Sequence, residues 1–442
     1  MTSLEAPRGE GTQPLAATPR ASLAEWHGRL LVLAAACVPV GEGLALGALV
    51  ALLLMLIVRR RDLPWGALRR GPAMPTLVAF GVWLAAGAVA LVVGGEGWLK
   101  PGELGRWLPL VAIPAVGLTA PMVPSRYLRH AATAFIALLA VACLFGLVQY
   151  GFNIRPGESL SRQASGVASQ ARVPGQWDRT VAGGFYFHRL KMAHVLLIGL
   201  AVLVGRQLYG AMTRRRRLLE LGLVALFVVT FFLTYARGAI LALAAGLALL
   251  LVFAGRRLVL ATIPLLVLGA ALAFAVPSIR HRIESIGSQD ASSVRALIWS
   301  QAVRIVVDHP LGVGIGNYPP VVDRYYETSS PAFTVRTYPH NMWLAAWAEA
   351  GPVGLAAYIG GWLLFLGACA RALVRRGPAA PAAAAGLFGI GATLVVGLTH
   401  DVLFHNSVAL AVAGLVGVVA AFIARADDPA PAAGDAARAA AP

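Results

Sequence analysis

The run LGLVALFVVTFFLTYARGAILALAAGLALLLVFA, residues 221–254, decides the fold. Two apolar stretches flank a single charge, Arg237. Extended to residues 218–236 and 238–255, each approaches the length that a helix rising ~1.5 Å per residue needs to cross a hydrocarbon core. A surface helix in water carries a charged face, and neither stretch has one. The segment therefore reads as two transmembrane helices joined by a tight turn at Thr234–Ala239.

The same reading extends in both directions. Apolar windows of about 20 residues fall at 23–40, 43–58, 74–94, 104–123, 128–151, 186–205, 258–276, 342–366, 380–399 and 405–424. This predicts an all-α polytopic membrane protein of about twelve transmembrane helices. Composition agrees: the 442 residues are 58% hydrophobic and only 13% charged, with a mean hydropathy of +0.72, outside the range of soluble domains. Residues 1–21 read as a disordered cytoplasmic tail rather than a signal peptide. Residues 22–276 hold transmembrane helices one to nine, and 277–340 form one large outward loop with amphipathic helices. Residues 341–425 hold helices ten to twelve, and 426–442 form a second disordered cytoplasmic tail.

The net charge of +17 would suggest nucleic acid if it were spread over a soluble surface. Its placement points to a membrane instead. Arg59 to Arg61, Arg69 and Arg70, then Arg126 and Arg129, Arg214 to Arg217, Arg256 and Arg257, and Arg371, Arg375 and Arg376 all fall in alternate connections. The opposite turns at 41–43 and 399–404 contain no Lys or Arg. The positive-inside rule then puts both termini in the cytoplasm. Cys37, Cys143 and Cys369 sit in separate apolar runs and read as small core residues.

Two outward segments remain, 153–184 and 277–340. In the second, Val294, Leu297, Ile298, Ala302, Ile305 and Val306 recur at helical spacing. This predicts an amphipathic helix capped by Asp290 or Ser292 and ended by His309-Pro310 and the run Gly312, Gly314, Gly316. Lying at the membrane interface is its plainest role.

Three clusters could carry chemistry. His340-Asn341, followed by Glu349 and Gly351, stands where the outward loop re-enters the membrane, and an imidazole there can take a proton from a hydroxyl. Arg237, in the turn between two apolar spans, is costly to place and suits bidentate contact with a phosphate. His188, Arg189, Lys191 and His194 put cations on the side that normally lacks them, which an anionic ligand explains better than topology does. A helix cap, snorkelling to headgroups and membrane anchoring are the plainer readings of the three. With Arg280, Arg282 and Arg295 on the same side, these residues describe an anion site with a base beside it. So many lipid-facing spans favour an amphiphilic anion, and a polyprenyl diphosphate fits. No outward D-x-D pair, no H-E-x-x-H and no phosphate-binding loop is present, which argues against metal-bound diphosphate and ATP-driven mechanisms.

Arg295 through Trp299 and Ala302, the turn Pro310-Leu311-Gly312 to Gly316-Asn317-Tyr318, and the His340-Asn341 helix with Glu349 and Gly351 together resemble the O-antigen ligase and polymerase superfamily. The resemblance covers most of the chain, departing at Ala236, where a serine before the Arg-Gly pair is expected in many relatives. It implies a GT-C-like glycosyltransferase of the bacterial inner membrane with its active site facing the periplasm, acting in lipopolysaccharide biosynthesis without metal or cofactor. The donor would be an undecaprenyl diphosphate-linked glycan and the acceptor a sugar hydroxyl of the lipid A-core. His340, Arg189 and Arg237 would be catalytic, with His340 as base or orienting group. Arg295, Lys191, His188, Arg280, Arg282 and Asn341 would contact the substrate. The polymerase of the same superfamily, which elongates a lipid-linked glycan, stays open, as does a transporter of lipid-linked solutes built around Glu349.

Overall fold

The computed structural model describes residues 22–70, 73–93, 104–154, 172–173, 176–186, 188–255, 289–325 and 338–427, with single positions at 267, 271, 275 and 280. The two tails, Arg256, Arg257, Arg282 and nearly all of the span expected at 258–276 lie outside the described residues.

Fourteen α-helices are found among the described residues. They are α1 Leu23–Cys37, α2 Glu42–Val58, α3 Trp65–Arg70, α4 Ala73–Val93, α5 Leu104–Thr119, α6 Ser125–Phe152, α7 Arg189–Tyr209, α8 Arg214–Phe232, α9 Arg237–Ala254, α10 Gln289–Asp308, α11 Tyr318–Val322, α12 Met342–Arg375, α13 Ala380–Val396 and α14 Asn406–Asp427. The protein is an all-α polytopic membrane protein. Among the described residues, five helices, at Met74–Val93, Ser125–Phe152, Arg189–Tyr209, Met342–Arg375 and Asn406–Ala426, are long and apolar enough to cross a membrane, and shorter apolar helices pack among them. α7 and α14 are the most enclosed of the five, so they form the centre of the bundle.

Short connections make successive helices antiparallel, which gathers the described arginine clusters at one end. Contacts there confirm the arrangement: Arg126 pairs with Glu25 at 2.7 Å, joining the starts of α6 and α1, and Arg59 meets His27 at 3.0 Å. Arg425, near the end of α14, donates to the carbonyls of Pro121 and Val123.

The opposite end holds the elaborations. A short antiparallel hairpin, β1 Arg172–Val173 with β2 Gln176–Thr180, lies within the outward segment 153–184. Asn153 ties it to the end of α6, its Oδ1 accepting from the Thr180 amide at 2.8 Å. The amphipathic helix of the large loop is α10, with Ile298, Ala302, Ile305 and Val306 buried. It begins at Gln289, so Asp290 and Ser292 lie inside it and do not cap it, and Leu297 is exposed rather than part of the buried stripe.

The glycine run does more than end α10. Gly351 has φ 65° and ψ −172°, which with Pro352 breaks α12. The break frees the carbonyls of Ala348 and Glu349, and the amides of Val313 and Gly314 donate to them, each at 2.9 Å. Gly316 adds its amide to Glu349 Oε1 at 2.9 Å. A Cβ on Gly314 would lie 2.7 Å from the Leu91 backbone, and Ile315 seats against Gly87 of α4. Glu349, the acid that a transporter reading requires at membrane depth, is engaged here as an anchor for the loop.

Candidate active site

At the hairpin end, α7, the α8–α9 turn, α10, the start of α12 and the α13–α14 connection surround a cavity of about 280 Å³. Its lining includes His188, Arg189, Tyr235, Arg237, Arg295, His340, His400 and His405. Three guanidinium groups and four imidazoles from five distant segments therefore face one space.

Each arrives for a local reason. His188 caps α7, its Nδ1 accepting from the Leu190 amide at 3.3 Å, so Arg189 starts the helix at the cavity wall. Arg189 Nη1 reaches the Tyr235 carbonyl at 3.5 Å. Tyr235 itself has φ 57°, which turns the chain tightly enough to set Arg237 in the first turn of α9. Gly238 permits this approach, because a Cβ there would lie 2.9 Å from Thr399 Oγ1. Arg295 is fixed through the next turn of its helix, where Trp299 donates from Nε1 to the Pro339 carbonyl at 2.9 Å. That bond holds α10 against the residue preceding His340.

His340 is set by a carboxylate. Its φ of 50° lies in the left-handed region, which costs a non-glycine residue on the order of 1–2 kcal/mol. Asp401 compensates, accepting from the His340 amide at 2.9 Å and the Asn341 amide at 2.8 Å. Asp401 Oδ2 also lies 3.4 Å from His340 Nδ1, with the imidazole 44% exposed and the carboxylate 6% exposed. A proton carried on Nδ1 toward Asp401 leaves Nε2 as the basic nitrogen.

The electrostatics favour an anion. Burial, reinforced by neighbouring cations, pushes His188 down to about 3 and His405 down to about 3. Burial and the neighbouring His194 and Arg295 hold His400 well below the usual imidazole range. Those three rings are neutral near pH 7. Burial and nearby Arg237 lower Arg295 as well, as expected where cations are crowded. Among the described residues, no group of three or more His, Cys, Asp or Glu is arranged to hold a metal ion.

Of the residues expected from sequence, His188, Arg189, Arg237, Arg295 and His340 converge. Lys191 does not line the cavity: its ammonium pairs with Glu42 at 2.6 Å, tying α7 to α2. Arg280 is exposed and also outside the lining. Asn341 acts as the cap of α12, its Oδ1 accepting from Trp343 and Leu344 amides at 3.0 and 3.1 Å. His400, Asp401 and His405 were not singled out from sequence. They lie in and beside the turn read only for its lack of Lys and Arg, and their signal was the group Thr399-His400-Asp401 with His405 between two apolar spans.

Residues 222–359 match the family model described as O-antigen ligase. Over that segment the chain is similar to the O-antigen ligase family. The matched segment contributes Tyr235, Arg237, Arg295 and His340 to the cavity, whereas His188, Arg189, His400, Asp401 and His405 come from outside it. The match supports glycosyl transfer of the O-antigen ligase or polymerase type by a multi-pass membrane protein. No curated protein matches the chain.

Proposed function

We propose that this protein is an O-antigen ligase of the inner membrane, which moves a glycan from undecaprenyl diphosphate to a sugar hydroxyl of the lipid A-core at the periplasmic face. The observation that carries the reading is the meeting of Arg189, Arg237 and Arg295 with His340 in one cavity. The arginine-rich end of the bundle then faces the cytoplasm, in keeping with the positive-inside rule.

The acceptor hydroxyl gives its proton to His340 Nε2 as its oxygen attacks the anomeric carbon. The bond from that carbon to the diphosphate oxygen breaks, and its electron pair leaves with the polyprenyl diphosphate. Arg189, Arg237 and Arg295 stabilise the charge that develops there, the task a metal performs in other transferases. A single displacement inverts the anomeric centre. Asp401 keeps the imidazole oriented and stabilises it once protonated.

Deleting the protein in its native cell tests ligase against polymerase. Long lipid-linked polymer left unattached to lipid A-core is the expected result. Accumulation of single lipid-linked repeats would assign polymerisation instead.

A further inference from the structure

A second, larger cavity of about 480 Å³ opens toward the arginine-rich end, between α1, α2, α6, α7, α13 and α14. Its walls are apolar, with Leu31, Leu49, Phe135, Ile198, Leu415 and Phe422 among them. Where α6 begins and α7 gives way to α8, Arg129, Arg206 and Arg216 join the lining, which contains no carboxylate. Behind them Glu220 is buried; it pairs with Arg206 and meets Arg216 Nε at 3.3 Å. Two guanidiniums thus share one carboxylate, and Arg129 adds a further cation. Arg216 also belongs to the run Arg214 to Arg217 in the first turn of α8, where the helix dipole disfavours cations. An anion at this mouth would relieve both.

An apolar slot with a cationic mouth selects an amphiphile with an anionic head. The slot lies between helices of one chain, and its lining is drawn from α1, α2, α6, α7, α13 and α14. The polyprenyl diphosphate is a poor occupant, because its proposed head site is at the other end of the bundle. None of the lining residues falls in the matched segment 222–359, so the cavity stands apart from the transfer reading.

We propose that this cavity binds one anionic phospholipid of the surrounding bilayer, with an acyl chain among α1, α6 and α7 and the phosphate held by Arg129 and Arg216. The lipid braces the helices whose far ends carry His188, Arg189, His400 and His405.

Native mass spectrometry of the delipidated full chain, supplied with phosphatidylglycerol or phosphatidylcholine, tests this. One phosphatidylglycerol should be retained in preference to phosphatidylcholine and should raise the apparent Tm. Removing both cations in an Arg129→Gln, Arg216→Gln double variant should weaken retention about tenfold or more. Filling the slot from its α6 wall, where Ala132 lines it, with Ala132→Phe leaves the arginines in place and should abolish retention even if the double variant fails to fold. Equal retention of the two lipids, retention unaffected by Ala132→Phe, or displacement by undecaprenyl phosphate in preference to phosphatidylglycerol would overturn the proposal.

Discussion

Replacing Asp401 with asparagine separates the charge that sets His340 from the volume that fills its place. The carboxylate accepts from two backbone amides, at 2.9 and 2.8 Å. Asparagine offers one oxygen, so one amide faces an NH2 group and is left unsatisfied. A hydrogen bond to a charged group is worth about 1.5–3 kcal/mol, and an unsatisfied buried donor costs about 1–3 kcal/mol. Either suffices to release the left-handed backbone at His340, which the same contacts hold in place. With the partner of Nδ1 also altered, a loss of about 3 kcal/mol in orienting the base corresponds to ~10²-fold in kcat. KM for the lipid-linked donor should change by less than about 3-fold, because the arginines that bind its diphosphate are untouched. Initial rates of glycan transfer by the purified, folded variant give both numbers. A kcat within twofold of the parent protein would refute the role given to Asp401.

Three further outcomes follow from the geometry. Arg237→Ala should lower kcat by about 10²-fold, as expected for losing one preorganised charge at a leaving group, and Arg237→Lys should recover only part of it, since a lysine cannot make the bidentate contact; full recovery in steady-state rates would contradict this. Gly312→Ala places a Cβ 2.6 Å from the Glu349 carbonyl at a residue with φ 90°, so the apparent Tm in detergent should fall, by an amount equivalent to about 2 kcal/mol or more. An unchanged Tm would show that the loop is not locked to α12. Because His188 and His405 are pushed down to about 3, the unfolded chain binds more protons than the folded one below the ordinary imidazole range. Stability is therefore fully present above about pH 6.5 and is lost as pH falls toward about 3, by roughly 1–2 kcal/mol per histidine at pH 5. Thermal unfolding between pH 7 and pH 4.5 measures it, and a flat profile would contradict the burial of these rings.

The membrane fold was legible because apolar runs broken by arginine-bearing turns leave few alternatives. Helix positions at 42–58, 73–93 and 125–152 follow almost directly from those runs. Most of the cationic site was legible too, since Arg189 and Arg237 violate the charge rule locally and such violations need a cause. Lys191 shares that violation but pairs with Glu42 of α2, and no local pattern shows whether such a partner waits on another helix. Asp401 was hidden because its importance depends on a backbone conformation at His340 that no local pattern announces. The glycine run was recognised as a helix terminator, but its docking into the broken α12 needs carbonyls that only the Gly351 kink exposes.

In the proposed mechanism His340, beside three arginines, carries the transfer without metal assistance. Purified protein supplied with undecaprenyl diphosphate-linked glycan and lipid A-core, in the presence of EDTA, tests it most directly when run beside His340→Ala. The expected result is conjugate from the parent protein and at least ~10²-fold less from the folded variant. Equal activity of His340→Ala, or loss of the parent activity on chelation, would contradict it.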